Sequence, residues 1–182
     1  RILGQQLMIQ VRESPKKFII QEDSVLFVFT PETDQQKIDA QINNWWQHTA
    51  KQYFQEVVDR LYHIIGKYGI KLPSVCVKKM TTLWGSCSRK SNKINLNFYL
   101  YKASVPCVEY VILHELAHFL YPYHNKDFYD FLQSERCEAL PGAVDFVNQC
   151  IRNGIAVFYV CTHTDLAIKT TQDGYAGQTG YL

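Results

Sequence analysis

Between Val108 and Leu120 the chain carries a helix-length segment that is apolar on nearly every side: Val108, Val111, Ile112, Leu113, Leu116, Ala117, Phe119 and Leu120. A helix without a polar face is buried. Ser104 suits its N-cap, Pro106 is tolerated in a first turn, and Pro122 stops it. Inside this segment sit His114, Glu115 and His118, the pattern HExxH. Residues four apart on a helix project from one face one turn apart, so both imidazoles can share one ion. Glu115, beside the first of them, can reach a water without binding the metal itself. The plainer alternative is two core histidines spaced by four, and chance produces the pattern in roughly one such chain in a hundred. Burial argues for the metal, because two imidazoles and a carboxylate in an apolar setting carry a large desolvation cost that a divalent cation offsets.

A catalytic zinc usually has three protein ligands and one open position. His124 is the leading third ligand, ten residues after His114 and just past Pro122, where the chain can turn it back. Asn125 can then cap a further helix whose Phe128, Phe131 and Leu132 fall on one face. The spacing matches that of metzincins, but Tyr121 stands where they carry Gly, so the turn must be made differently. His48 and His63 read as helix-surface residues, and His163 lies in a polar tail.

The rest of the chain gives an α+β reading. Leu7–Ile9, Phe18–Ile20 and Val25–Phe29 form a small antiparallel N-terminal sheet with a polar turn around Ser14-Pro15. From Asp34 a long helical segment runs to Gly66 and Gly69, with Ile38, Ile42, Ala50, Phe54, Val57 and Leu61 at helical spacing. Trp45 and Trp46 on this stripe are expected to pack into the core. Val75–Val77 is a short strand. Ile94 to Tyr101 alternates strictly and predicts a half-buried strand over the whole stretch.

Composition narrows the class without naming a function. In 182 residues, 19 Lys and Arg against 17 Asp and Glu leave +2, too near balance to announce a nucleic-acid or membrane-surface protein. The longest apolar run, Ile155 to Cys161, is too short to span a bilayer, and no basic start with an apolar h-region is present. Six widely scattered cysteines without a CxxC pair read as free thiols. The expectation is a cytoplasmic protein with no membrane partner.

Three motifs in order, Trp84-Gly85-Ser86-Cys87-Ser88, Ile94-Asn95-Leu96-Asn97, and His114-Glu115-Leu116-Ala117-His118 followed by His124 and Phe128, resemble the YgjP-like family of zinc metallopeptidases. The resemblance covers roughly residues 3 to 132. It implies a zincin-like fold, one Zn²⁺ held by His114, His118 and His124, Glu115 as general base, and a peptide or protein substrate. Two positions depart from the family: Leu83 stands where a basic residue commonly precedes the Trp, and Tyr121 where a basic residue or His is frequent. Candidate substrate contacts are Trp84, Asn95, Asn97 and Tyr121, with an extended peptide adding alongside the strand from Ile94 if that strand is an edge. Tyr121, Tyr123 and Tyr129 are candidate oxyanion donors.

Cys87 has no His or Lys neighbour in sequence to activate it, which argues against a nucleophile. Lys78, Lys79, Arg89, Lys90 and Lys93 read first as a solvated turn, with a nucleic-acid patch as the rival. Residues 1–135 form the zincin-like domain and 136–182 an extension: a helix Ala143–Arg152, an apolar strand Ile155–Cys161 and a loose end, together one αβ unit. This tail is faintly similar to a segment of HAD-type acid phosphatases but lacks their DxD nucleophile motif. The functional expectation is a metal-dependent hydrolase acting on peptides. The alternatives are a metal-dependent nucleotide phosphoanhydride hydrolase, with the cations of residues 78–93 on the phosphates, and a non-catalytic nucleic-acid-associated metal module.

Overall fold

The computed structural model describes residues 1–139, with side chains through Glu135. The αβ unit expected within 136–182, and His163 with it, lies outside the described residues. Three strands open the chain: β1 (Met8–Glu13), β2 (Phe18–Glu22) and β3 (Val25–Thr30). Helix α1 (Gln35–Leu61) and the short α2 (His63–Gly66) follow. A second sheet comprises β4 (Ser74–Lys78), β5 (Gly85–Ser88) and β6 (Lys93–Asn97). A 3-10 turn over Phe98–Lys102 then leads into α3 (Val105–Ala117) and α4 (Lys126–Ala139).

The N-terminal sheet is mixed rather than antiparallel. Its order is β1-β3-β2, with β2 antiparallel and β1 parallel to β3. The cause is local. A two-residue turn at Asp23-Ser24, with Asp23 at φ +49°, pairs β2 with β3 as a hairpin, leaving β1 the other edge of β3.

Helix α1 begins where the Asp34 carboxylate accepts the Gln36 N–H at 2.8 Å. Phe54, Val57, Val58 and Leu61 on its C-terminal half are buried. They face Val75, Val77, Ile94 and Leu96 from the inner side of the second sheet and Ile112, Leu113 and Leu116 from α3, in one core. Each such side chain contributes about 1.5–3 kcal/mol by leaving water. That sum is what allows polar groups to be held inside α3. Trp45 and Trp46 pack against this core, and the Trp46 indole N–H donates to the Phe98 carbonyl at 3.1 Å. The Arg60 guanidinium pairs with the buried Glu109 and ties α1 to α3.

Two element boundaries differ from the sequence reading. The strand from Ile94 ends at Asn97, although the alternation continues to Tyr101. The Asn97 side-chain oxygen accepts the Tyr99 N–H at 3.0 Å, an Asx turn that competes with the strand and starts the 3-10 segment. Phe98, Leu100 and Tyr101 are all buried as a result, while Tyr99 is exposed. Helix α3 ends at Ala117 instead of Leu120, and successive turns carry the chain on: Phe119 N–H bonds to Leu116 O, and Leu120 and Tyr121 N–H to Ala117 O. Tyr121 is not among the residues at positive φ, so no Gly is needed there.

Sheet order β4-β6-β5 places β6 in the centre. The strand beginning at Ile94 is therefore no edge, and a substrate cannot add to it. Among the described residues the edge next to α3 that no strand pairs with is that of β5.

Candidate metal centre and active site

The last turn of α3 presents His114 and Glu115, and His118 follows as the C-cap residue. His124 returns from the turn after Pro122. It is fixed from the other side by α4, where the Asn125 side-chain oxygen accepts the Phe128 N–H at 3.0 Å. His124 Nε2 lies 3.2 Å from His114 Nε2 and 3.1 Å from His118 Nε2. Among the described residues these three form the one group of His, Cys, Asp or Glu side chains whose donor atoms could hold a metal ion together. His48 and His63 are exposed on the helical segment, away from this cluster.

The chemistry of the donors fits a cation. His118 Nδ1 faces the Tyr121 carbonyl at 3.0 Å, so Nδ1 carries a proton and Nε2 is the ring nitrogen turned toward the other two imidazoles, the one that would meet a cation. One proton on His124 Nε2 can serve only one neighbour well, whereas a cation serves all three nitrogens. Tetrahedral nitrogen donors about 2.0–2.1 Å from one zinc stand about 3.3–3.4 Å apart, close to the spacing seen. Burial and the two neighbouring imidazoles push His114 well below its usual range, which keeps it neutral. Phe128, fully buried, backs the cluster with its ring centroid 4.8–4.9 Å from each imidazole.

Glu115 is 2% exposed, and burial pushes its carboxyl up to about 8 against a hydrogen bond from the Cys87 backbone. Its Oε2 is buried and has no hydrogen-bond partner among the described residues. A nearby cation would stabilise the ionised form. The carboxylate lies directly under β5: a Cβ built on Gly85 would stand 2.6 Å from Oε1 and 2.8 Å from Cγ of Glu115. Only a residue without a side chain leaves that room. The sequence expectations for this motif are confined to Trp84 as a substrate contact and Cys87 as no nucleophile; that Gly85 and the Cys87 N–H seat the carboxylate is not among them. The signal was the glycine inside the motif.

The four candidate substrate contacts occupy different settings. Trp84 is half-buried against the core. Asn97 is buried, and its amide donates to the carbonyls of Met80 (2.8 Å) and Leu83 (2.6 Å) while its backbone N–H donates to Trp84 O, so it braces the loop leading into Gly85. Asn95 pairs with Ser86 on the sheet face opposite Ile94 and Leu96 and donates to the Ser86 hydroxyl at 3.1 Å. Tyr121 packs its ring against Phe131 at a tilt, 5.4 Å between centroids, and its carbonyl orients His118. Of the tyrosines named as oxyanion donors, Tyr123 is exposed and Tyr129 has its ring 6.2 Å from that of His124. Burial, with Glu115 adding to it, pushes the Cys87 thiol up to about 12, so it stays protonated and is a poor nucleophile. Cys76, Cys87 and Cys107 are free thiols.

An α+β scaffold that brings a buried His-Glu-x-x-His helix and a third histidine together defines a metal-dependent hydrolase of zincin-like build. The YgjP-like, metallopeptidase domain profile matches residues 1–138, and the chain belongs to that family. Peptides or proteins are the substrate class this family implies. Among solved structures, the chain is similar to the metallopeptidase zymogen of Methanocaldococcus jannaschii jannalysin (24% identity, TM-score 0.43, covering 56% of this chain and 96% of that one). It is also similar to the metallopeptidase zymogen of Pyrococcus abyssi abylysin (22% identity, TM-score 0.41, covering 53% and 93%). A search of curated proteins returned no match. No helix among the described residues is long and apolar enough to cross a membrane.

Proposed function

We propose that the chain is a zinc-dependent peptidase in which His114, His118 and His124 hold the ion and Glu115 is the general base. The observation that carries this reading is the meeting of three imidazole Nε2 atoms, 3.1–3.2 Å from His124 to each of the others, beside a buried carboxylate with one oxygen unpartnered. Three neutral nitrogen donors suit zinc, and nickel or cobalt would accept the same set. When bound, the ion supplies Lewis acidity toward the scissile carbonyl and the attacking water. The Cys87 N–H anchors one oxygen of Glu115. The other is left to take the water proton and pass it to the leaving amine. Phe128 keeps water from the rear of the imidazoles. An extended substrate lies along the β5 edge, where the Cys87 N–H is held by Glu115 and Gly85 still presents its backbone outward, which brings it past Gly85 and over Glu115.

Chelation tests the reading. Stripping metal from the purified protein is expected to abolish cleavage of a casein-type substrate. It should also lower Tm by on the order of 5–10 °C, because an ion bound only by the folded state stabilises it. Zinc should restore both. Cleavage undiminished after exhaustive chelation contradicts the proposal.

A further inference from the structure

The charges of this chain are segregated. Eight of its 19 cationic side chains, and none of its 17 acidic ones, fall in the stretch from Leu61 to Val108. That stretch contains the whole sheet β4-β6-β5. Lys78 and Lys79 stand at the end of the sheet where Asn97 pairs with Lys78 and Gly85 begins β5. Arg89, Lys90 and Lys93 stand at the other end, where β5 turns into β6. All five are exposed, and among the described residues none is in an ion pair.

From these positions we infer that the peptidase selects acidic substrates, with Arg89 and Lys90 reading Asp or Glu three to five residues from the scissile bond. The inference rests on the peptidase reading above. An extended segment lying along β5 from Gly85 toward Ser88 advances about 3.3 Å per residue. Four residues therefore carry it about 13 Å from Gly85, where the strand touches Glu115, to the Arg89-Lys90 turn. Lys78 and Lys79 extend the same positive field to the other end of the sheet, which draws an anionic segment toward the edge from either direction. A polynucleotide fits this surface less well. The outward residues Cys76, Asn95, Ser86 and Ser88 are small or polar, and no residue of β4, β5 or β6 is an aromatic on which bases could stack. A strand edge, by contrast, matches peptide main chain.

The test uses the metal-loaded protein and matched peptides sharing one cleavable bond, with Glu-Asp or Gln-Asn placed three to five residues from it. The acidic peptide is expected to have a kcat/KM on the order of tenfold higher, chiefly through KM, and the preference should shrink at moderate salt. Charge reversal by Arg89→Glu with Lys90→Glu should invert it, and the milder Arg89→Gln with Lys90→Gln should erase it. Equal kcat/KM for the two peptides in the native protein overturns the inference. Anisotropy with labelled peptides and a single-stranded oligonucleotide separates the two claims. If no peptide is cleaved but the acidic one binds more tightly than the neutral one and loses that advantage on charge reversal, the surface stands and the peptidase reading fails. Tight oligonucleotide binding without acidic-peptide preference overturns the inference in favour of nucleic acid, and binding of neither peptide overturns it outright.

Discussion

Glu115→Gln is expected to lower kcat on a peptide substrate by about 10²–10⁴-fold, the usual contribution of a positioned general base, with little change in KM. The amide keeps the shape of the carboxylate and an oxygen for the Cys87 N–H, so the site should remain intact. Metal content should match that of the unaltered protein, since Glu115 is not among the converging donors. Tm should not fall, because the substitution removes a carboxyl that burial already disfavours as an anion. Steady-state kinetics beside metal analysis checks both halves. Full activity in Glu115→Gln would mean that another group moves the proton.

Gly85→Ala should damage catalysis from the other side of the same contact. The added methyl would meet Oε1, Cγ and Cδ of Glu115 at 2.6, 2.8 and 2.9 Å, distances at which something must shift. The backbone of β5 is held in register with β6, so the carboxylate gives way. A displacement of about 1 Å in a catalytic group costs on the order of 10²-fold in rate, and overpacking costs roughly 1–3 kcal/mol of stability. Ser86→Ala, one residue along on the opposite face of the strand, is the control and should leave kcat within a few-fold. If Gly85→Ala turns over at the native rate while still folded, the contact does not position Glu115.

The parts of this site that were legible in the sequence are those governed by short-range patterns. Helical periodicity located α1, periodicity with the cap at Asn125 located α4, and HExxH placed two imidazoles on one face without reference to the rest of the chain. His124 was legible because Pro122 forces a turn between two helices that must both reach the core. What escaped depends on contacts between distant segments. The period-two run Ile94 to Tyr101 looks like one strand, but the Asn97 side chain, committed to Tyr99 N–H and to two carbonyls of the preceding loop, ends it early. Nothing in a local pattern says that β6 is central or that β1 runs parallel to β3, because sheet order follows from which edge is left after the nearest hairpin closes. The close approach of Glu115 to Gly85 spans 30 residues of sequence and is visible only once α3 lies beneath β5. The Tyr121 contribution is a backbone carbonyl, to which side-chain identity is blind.

The central claim is that His114, His118 and His124 hold one divalent cation, and the metal content of the purified protein measures it most directly. Inductively coupled plasma analysis is expected to return about one equivalent of zinc per chain, and His118→Ala should lose most of it, since two remaining imidazoles make a poor site. Less than about half an equivalent in the unaltered protein after incubation with zinc, or an undiminished equivalent in His118→Ala, would contradict the account.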